Sequence, residues 1–178
     1  DSGSYTKSLS KDNIFLIDQL LFDSINSSRL VDFMDESLVD FNNEELTKIT
    51  LRMNNKIVQL TRDKKDSQNW IIAKPLNTQA SSATVNSLLF DLKDIRIVKF
   101  INASNENKTL HGLDHPEKEI TLAYKNGKTW TLTVGNQTSS SEHYFANRTD
   151  GTAIFTLKKS ATESIFRSLH DLRDRTLL

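Results

Sequence analysis

One stretch decides the fold class of this chain, residues 120–134, with the sequence ITLAYKNGKTWTLTV. Apolar residues alternate with polar ones at 120, 122 and 124 before Asn126-Gly127, and at 130, 132 and 134 after it. Asn-Gly accommodates the positive φ angles of a two-residue hairpin turn, and alternation is the period of a strand. The intervening threonines suit a sheet face that is solvated or partly covered. The stretch therefore predicts an antiparallel hairpin with one buried face.

Further strands are predicted on both sides of this hairpin. Residues 49–60, ITLRMNNKIVQL, alternate around Asn54-Asn55 and predict a second hairpin, followed by a charged loop at 63–69 and a short strand at 70–73. The apolar run at 97–101 predicts another strand, separated from the first hairpin by a polar loop at 102–108 and a turn at 111–116. Beyond a Ser-rich loop from Gly135 to Glu142, residues 143–148 and 153–157 predict a third hairpin.

Helices are predicted to pack on this sheet. The first begins at Ser81 or Ser82, either of which can cap a helix, and places apolar residues at 85, 88, 89, 92 and 95 on one face. The second begins at Ser160, because Ser160 and Glu163 form a capping-box pattern ahead of apolar residues at 165, 166, 169 and 172. The predicted fold class is α+β, an antiparallel sheet of hairpins and meanders packed with two to three helices.

Two parts of the sequence match each other. Ile14-Phe15 and Ile154-Phe155 each open a strand-and-helix pattern, and position 154 minus position 14 gives an offset of 140. Residues 28–39, SRLVDFMDESLV, match residues 167–178, RSLHDLRDRTLL, at an offset of 139. In this second match, the aligned residues are Leu30, Asp32, Phe33, Asp35 and Leu38 with Leu169, Asp171, Leu172, Asp174 and Leu177.

These matches predict that the chain is a slice of a tandem repeat with a unit of about 140 residues. Residues 1–40 are expected to be the closing strand–helix element of a preceding unit, with Phe22 and Ile25 on its helix, and residues 41–178 to be one full unit. The alternative is that two segments share a strand–helix pattern common to many proteins. Because Asp residues match as well as apolar ones, the repeat is the favoured interpretation.

Composition limits the possible classes of partner. The 178-residue chain has 23 Lys and Arg against 23 Asp and Glu, so it carries no overall positive field, and we expect no nucleic-acid partner. Cysteine is absent, which excludes thiolate nucleophiles, zinc–thiolate sites and iron–sulfur clusters. No stretch approaches the ~20 apolar residues of a membrane-spanning helix.

The histidines offer one candidate for metal chemistry. His111 and His115 flank Asp114, and an i, i+4 pair of histidines can bind a metal on a helix. Gly112 and Pro116 favour a turn instead, in which Asp114 accepts backbone hydrogen bonds. His143 and His170 have no second histidine or cysteine near them in sequence, and surface or interface positions are expected for both.

Two other groups of residues are candidates for chemistry or binding. Asp171 and Asp174, with Arg173 and Arg175, could form an acid–base pair or an anion clamp. Because the two aspartates match Asp32 and Asp35, a structural role at the joint between units is favoured. The aromatic residues Trp70, Trp130, Tyr124 and Tyr144 could line a binding face, but core packing on alternating strands is favoured. No residue is assigned as catalytic, cofactor-binding or metal-binding, and we expect no cofactor.

Several stretches, in order and spacing, resemble a bacterial family known as domain of unknown function 4340. They are Trp70 with Lys74-Pro75, residues 85–92 VNSLLFDL, 111–116 HGLDHP, 127–129 GKT with Val134-Gly135, 144–146 YFA, and 172–178 LRDRTLL. Members of this family often carry the unit in tandem behind one N-terminal hydrophobic segment, and a related region occurs in auxiliary components of gliding-motility-type ABC transporters. The family supplies no catalytic residues. His111 stands where the family commonly has an aromatic residue such as Tyr.

The resemblance implies the extracytoplasmic part of a membrane-anchored bacterial envelope protein. We expect a non-enzymatic binding or scaffolding module whose partners are other envelope proteins or adjacent repeat units, held to the membrane only through an anchor outside this chain. One alternative is a ligand-binding auxiliary component of an ABC transporter, with a site formed by residues 138–141 and the exposed sheet faces. A second alternative is a hydrolase that uses Asp171 or Asp174 with His170.

Overall fold

The computed structural model describes the strands at residues 3–7 and 14–18, and then residues 36–101, 107–151 and 153–174. The chain divides into two compact units, Asp1–Asp35 and Glu36–Leu178. The predicted division into repeat elements at 1–40 and 41–178 remains a prediction. Within the described ranges no helix is long and apolar enough to cross a membrane.

The first unit contains an antiparallel hairpin. Strand β1 (Gly3–Lys7) pairs with β2 (Ile14–Asp18), in a register that runs from Gly3 opposite Asp18 to Lys7 opposite Ile14. This confirms the strand predicted from Ile14-Phe15. The helix predicted to hold Phe22 and Ile25 lies outside the described residues.

The second unit is built on one sheet of nine strands. In spatial order the strands are β6 (Thr78–Gln79), β5 (Trp70–Lys74), β4 (Lys56–Arg62), β3 (Leu46–Met53), β8 (Lys118–Tyr124), β9 (Thr129–Gln137), β10 (His143–Arg148), β11 (Ile154–Lys158) and β7 (Ile97–Ile101). Every neighbouring pair is antiparallel. In the described residues of this unit, a 3-10 helix (Asn43–Glu45) and four α-helices accompany the sheet: α1 (Ser82–Asp94), α2 (Asn107–Leu110), α3 (Lys159–Ile165) and α4 (Leu169–Leu172). The α+β class is confirmed.

The hairpin that decides the fold class forms, and Ile120 pairs with Leu132 across β8 and β9. Its turn is longer than the two residues predicted, because the Tyr124 amide donates to the Lys128 carbonyl and leaves residues 125–127 between them. Of the Asn-Gly pair, Gly127 takes a positive φ, of 79°. In the second predicted hairpin, β3–β4, Asn54 has a φ of 53°, which Asn tolerates better than most residues. The charged loop at 63–69 and the strand from Trp70 are also confirmed.

The main core lies between one face of the sheet and the helices. Ser81 caps α1 by accepting a hydrogen bond from the amide of Thr84, and the predicted helix is confirmed. Its buried side chains are Val85, Leu88, Leu89 and Leu92, and they join a core that includes Ile49, Leu51, Leu60, Trp70, Ile72, Ile120, Leu122, Leu132 and Leu157. Because these strand residues lie at alternate positions, the other face remains partly exposed. There the hydroxyls of Thr121 and Thr131 lie 3.0 Å apart.

The segment that contains His111 and Leu113, after β7, covers the other face of the sheet at β9–β11. The carbonyl of His111 accepts a hydrogen bond from the amide of Asn136 at 2.7 Å. Gly135 permits this approach, because a Cβ there would stand 2.1 Å from the His111 oxygen. Leu113 and Ile154 are buried here, outside the main core.

Three predictions about element boundaries are wrong. The end of the predicted loop at 102–108 falls in α2, which starts at Asn107. The predicted loop from Gly135 is shorter, because Gln137 of β9 still pairs with Tyr144 across an irregular register. The helix predicted from Ser160 starts at Lys159 and ends at Ile165, and Leu169–Leu172 forms a separate helix. The described residues contain four α-helices, where two to three were predicted.

The predicted capping box at Ser160 and Glu163 is also wrong. Lys158 occupies the N-cap position of α3 without a side-chain cap, and the hydroxyl of Thr162 donates to the Lys158 carbonyl at 2.8 Å. The capping box lies instead between Ser168 and Asp171, at the start of α4. The backbone leaves helical geometry at Phe166 and Ser168, which divides the predicted helix in two.

Candidate functional site

A groove at one end of the sheet is the candidate binding site. Its volume is about 890 Å³, and it is lined by the tip of the β3–β4 hairpin, Met53–Val58, together with Pro75 and Ser168–His170. Ile57 is 49% exposed, although it is a large apolar residue. Apolar side chains from the hairpin, Pro75 and Leu169 therefore lie beside the polar groups of two asparagines, Lys56 and His170. Such a mixture suits a binding site, in which apolar contact gives affinity and a few polar groups orient the ligand.

The carboxylate of Asp171, beside this groove, is used for capping. It accepts hydrogen bonds from the hydroxyl of Ser168 at 2.6 Å and from its amide at 3.3 Å, while the Asp171 amide donates back to the hydroxyl at 3.2 Å. His170 Nδ1 lies 3.9 Å from Asp171 Oδ1, and both side chains are more than half exposed. These bonds assign Asp171 a structural role at the start of α4.

Arg173 and Asp174 continue along the edge of the sheet rather than into the groove. Arg173 forms a β-bridge with Ala80, and the Asp174 amide donates to the carbonyl of Gln79 at 3.1 Å. Arg175, the fourth member of the predicted cluster, lies outside the described residues. The backbone at 172–174 therefore has a structural role, and the prediction that the aspartate carboxylates hold a joint between units stays a prediction.

A smaller cavity of about 270 Å³ contains Arg62 and Lys125, but Arg62 is engaged by the protein. Its guanidinium donates to the carbonyls of Leu46, Asn43 and Gln68, and it lies 4.2 Å from the centroid of the Trp70 ring. Burial lowers the pKa of Arg62, and the nearby carboxylate of Glu44 opposes this shift. Arg62 thus fastens the loop at 63–69 to the start of β3.

The residues of the candidate metal site, His111, Asp114 and His115, lie in a turn. The ring of His111 stacks on Phe145 with centroids 3.9 Å apart. The Asp114 carboxylate accepts from the amide of His115 at 3.0 Å, and a hydrogen bond from the Thr109 side chain is the main cause that lowers its pKa. Within 36–101, 107–151 and 153–174, no group of three His, Asp or Glu side chains is placed to hold a metal ion. The interpretation of Asp114 as a backbone acceptor is confirmed.

The aromatic candidates belong mainly to the core. Trp70, Trp130 and Tyr144 are 0%, 5% and 6% exposed, so none of these rings offers a binding face. The Tyr144 hydroxyl donates to Glu163 and accepts from Lys118 and Gln137, all at 3.1–3.2 Å. Tyr124 is partly buried, and that burial raises the pKa of its phenol, with a smaller contribution from Asp150. Core packing is confirmed for Trp70, Trp130 and Tyr144.

Hydrogen bonds within the Ser-rich turn hold it in place. Thr138 and Ser140 bond each other through their hydroxyls at 3.1 Å, and the Thr138 amide donates to the carbonyl of His143. These bonds hold the turn together, and the predicted ligand site at residues 138–141 stays a prediction.

The groove was not predicted from the sequence. Its signal was available in Met53 and Ile57, two apolar residues on either side of an Asn-Asn turn.

The comparison with known proteins identifies a family. The model described as Domain of unknown function (DUF4340) matches residues 1–110 and 70–178, which together span the chain. No curated protein matches the chain, and no solved structure matches it. The chain therefore belongs to the domain of unknown function 4340 family.

Proposed function

We propose that this chain is a slice of a tandem-repeat protein and acts as a non-enzymatic binding or scaffolding module. It belongs to the extracytoplasmic part of a membrane-anchored bacterial envelope protein. Its partners are adjacent repeat units and other envelope proteins. The proposal rests on a repeated element, because stacked repeat units form an extended surface on which partners can bind.

The observation that carries the proposal is a shared strand register. In β10–β11, His143 pairs with Lys158, and the pairing continues to Asn147 opposite Ile154. In β1–β2, Gly3 pairs with Asp18, and the pairing continues to Lys7 opposite Ile14. All five pairs correspond at an offset of 140, and six residues separate the innermost pair in each hairpin. Two matches to one family model along the chain are consistent with a repeat.

The local bonds of the polar candidates support a binding or scaffolding role. Asp171 caps a helix, Asp114 closes a turn, and Arg62 is held by three carbonyls. Each of these groups has a sufficient structural reason for its place. A purified chain that hydrolysed an envelope substrate, with turnover abolished by Asp171→Ala or Asp174→Ala while the fold was kept, would overturn the proposal.

The proposed location is tested by fusing alkaline phosphatase, which is active only after export, to this unit within its full-length gene. We expect phosphatase activity and recovery of the fusion in the membrane fraction. An inactive fusion found in the cytosol, with the same fusion active behind a known export signal, would contradict the extracytoplasmic location.

The groove supports one other candidate function, a ligand-binding auxiliary component of a transporter. Its volume of about 890 Å³ is within the range of small-molecule sites. The test is photo-crosslinking in cells with a reactive residue at position 57, and a control at Lys128. The control lies at the opposite end of the sheet, because Met53 pairs with Lys118 whereas Leu46 pairs with Tyr124.

Under the ligand-binding function, position 57 should label a small molecule, and Ile57→Glu should abolish binding. Val98→Glu is the matched control, since Val98 is 45% exposed and lies on β7. Under the scaffolding function, position 57 should give a protein adduct or none. Equal labelling from 57 and 128 would exclude the groove as a specific site.

A further inference from the structure

The groove lies where strand β5 stops short of its neighbour. β4 pairs with β3 along Lys56–Thr61. β5 pairs with β4 only as far as Gln59, which lies opposite Lys74. Pro75 comes next and has no amide hydrogen with which to extend the ladder, and the chain returns as β6 on the other side of β5. Among the described strands, none therefore pairs with residues 56–58 on the edge of β4 that faces away from β3.

The backbone of Ile57 presents both of its polar groups on this open edge. A two-residue turn joins β3 to β4, so the pair that flanks the turn, Met53 and Lys56, exchanges hydrogen bonds. Because backbone groups alternate between the two sides of a strand, Ile57 directs its N–H and C=O away from β3. The same alternation explains why the amide of Asn54 donates to the carbonyl of Glu117, on the β8 side of β3. An unpaired strand edge of this kind is a template for pairing with another chain.

The side chains around the open edge indicate which kind of strand would fit. Ile57 is exposed on one face of the sheet, whereas Val58 is buried on the other. Leu169 forms part of the opposite wall of the groove, and it packs against the main core. Lys56 lines the groove and is exposed, as is Lys74 at the end of β5. No Asp or Glu is among the described residues that line the groove, so its charge complements an acidic partner.

We infer that the groove binds an extended, acidic and partly apolar peptide segment of a partner protein, by adding it as a strand to the open edge of β4. Ile57 exchanges two backbone hydrogen bonds with the segment. Apolar side chains of the segment pack against Ile57 and Leu169, and its acidic residue pairs with Lys56. Backbone bonds give affinity in this mode of recognition, and alternate side chains give specificity. The inference rests on the proposed binding role, and it names the partner and the way in which it is held.

The short length of the open edge determines what a binding experiment should detect. Three residues of β4 are open, and a strand rises ~3.3 Å per residue, so the edge is ~10 Å long. A bound strand therefore depends on the two hydrogen bonds of Ile57 rather than on a long ladder. The loss of one such bond should weaken binding by up to ~tenfold.

The first test changes the backbone of the peptide and leaves the protein unaltered. The probe is a phage-displayed library of random peptides of ~7 residues, which are longer than the open edge when extended. Peptides selected on the purified chain are synthesised and N-methylated at one residue at a time. We expect selected peptides to combine apolar residues with Asp or Glu. Methylation of the amide that faces β4 should weaken binding ~tenfold, and methylation of either neighbouring amide less than ~twofold, because neighbouring amides point to opposite sides of a strand.

The second test locates the peptide on the protein. Hydrogen exchange at the Ile57 amide should slow at least ~tenfold when a selected peptide is bound, and exchange at Val98, on the outermost strand β7, should not change. Ile57→Pro removes the amide hydrogen without removing a bond to β3, and it should weaken binding ~tenfold or more. Ile57→Val is the matched control, because it keeps the amide, and its affinity should stay within ~threefold of the parent.

Several results would overturn strand addition. Failure to select any peptide would do so, as would selected peptides that leave exchange at Ile57 unchanged. A small molecule crosslinked to position 57, or a dimer of the chain that Ile57→Pro dissociates, would assign the open edge to a different occupant. A protein adduct at position 57 without protection of the Ile57 amide would overturn strand addition and leave the proposed binding role intact. An inactive, cytosolic phosphatase fusion would overturn the proposed location and leave strand addition intact.

Discussion

The hairpins β1–β2 and β10–β11 share one register but differ in their pairing with other described strands. Five pairs correspond at an offset of 140, and both hairpins have Ile-Phe at the start of their second strand. The strand β10 also pairs with β9, and β11 also pairs with β7. The strands β1 and β2 pair only with each other among the described strands.

This difference distinguishes two effects: the local sequence determines the strand register, and neighbouring strands add stability. The spacing of the strands and the six-residue connection are sufficient for a common register, because register follows the apolar pattern and the turn. Stability requires more, since an isolated two-stranded hairpin is marginal in water. In β10–β11 the additional stability comes from burial: Ala146, Phe155 and Leu157 are at most 1% exposed.

The largest expected difference between the hairpins is at their common phenylalanine. Phe155 is 1% exposed and packs edge-on against Phe100, with centroids 6.1 Å apart. Phe155→Ala should lower the free energy of unfolding of the larger unit by ~3–5 kcal/mol, because it leaves a cavity in the core. Urea unfolding followed by circular dichroism measures this loss.

Phe15→Ala is the matched control, because Phe15 holds the same register position in the first unit. The main urea transition should move less than it does for Phe155→Ala, since residue 15 is outside the compact unit that starts at Glu36. Equal losses for the two variants would show that the two hairpins do not differ in their surroundings.

A second large effect is expected at Leu38. Leu38 is fully buried, and Leu38→Ala should lower the free energy of unfolding by ~2–5 kcal/mol. Thermal unfolding of the variant and the parent under identical conditions measures this loss, and a change below ~0.5 kcal/mol would contradict a core position for the Leu38 side chain.

The smallest expected effect concerns the helices after β11. Ser168→Ala removes the side chain that caps α4 and should cost ~1 kcal/mol. Ser160→Ala should cost much less, because α3 has no side-chain cap. Urea midpoints distinguish the two variants, and a larger loss for Ser160→Ala would restore the single helix predicted from the sequence.

Most strands could be predicted from the sequence because their signals are local. Alternation around Asn54-Asn55 and Asn126-Gly127 determines both the strands and the turns between them, and the structure has both hairpins. Helix α1 could be predicted for the same reason, since its cap and its apolar face lie within one short stretch. These elements need no information about distant parts of the chain.

The broken C-terminal helix and the groove could not be predicted in the same way. Ser160 and Ser168 each precede an acidic residue by three positions, and only the backbone geometry decides which serine caps a helix. The groove combines Ile57 with Pro75 and Leu169, which are far apart in sequence. Met53 and Ile57 provide a local signal at the hairpin, but one local pattern cannot show which other elements complete the site.

The central claim, that residues 3–18 and 143–158 are copies of one hairpin, is tested most directly by exchanging a strand. Residues 154–158, IFTLK, are replaced with residues 14–18, IFLID, which changes Thr156→Leu, Leu157→Ile and Lys158→Asp. A frame-shifted control uses residues 15–19, FLIDQ, and places Asp at position 157, where Leu157 is fully buried.

Urea unfolding of the two chimeras is the decisive measurement. The in-register chimera should keep one cooperative transition and lose no more than ~3 kcal/mol, because the changes are apolar or lie at the exposed end of the strand. The shifted chimera should lose that transition, because a one-residue slip exchanges the two faces and buries a carboxylate. If the in-register chimera unfolds, or if both chimeras are equally stable, the two hairpins are not copies of one element.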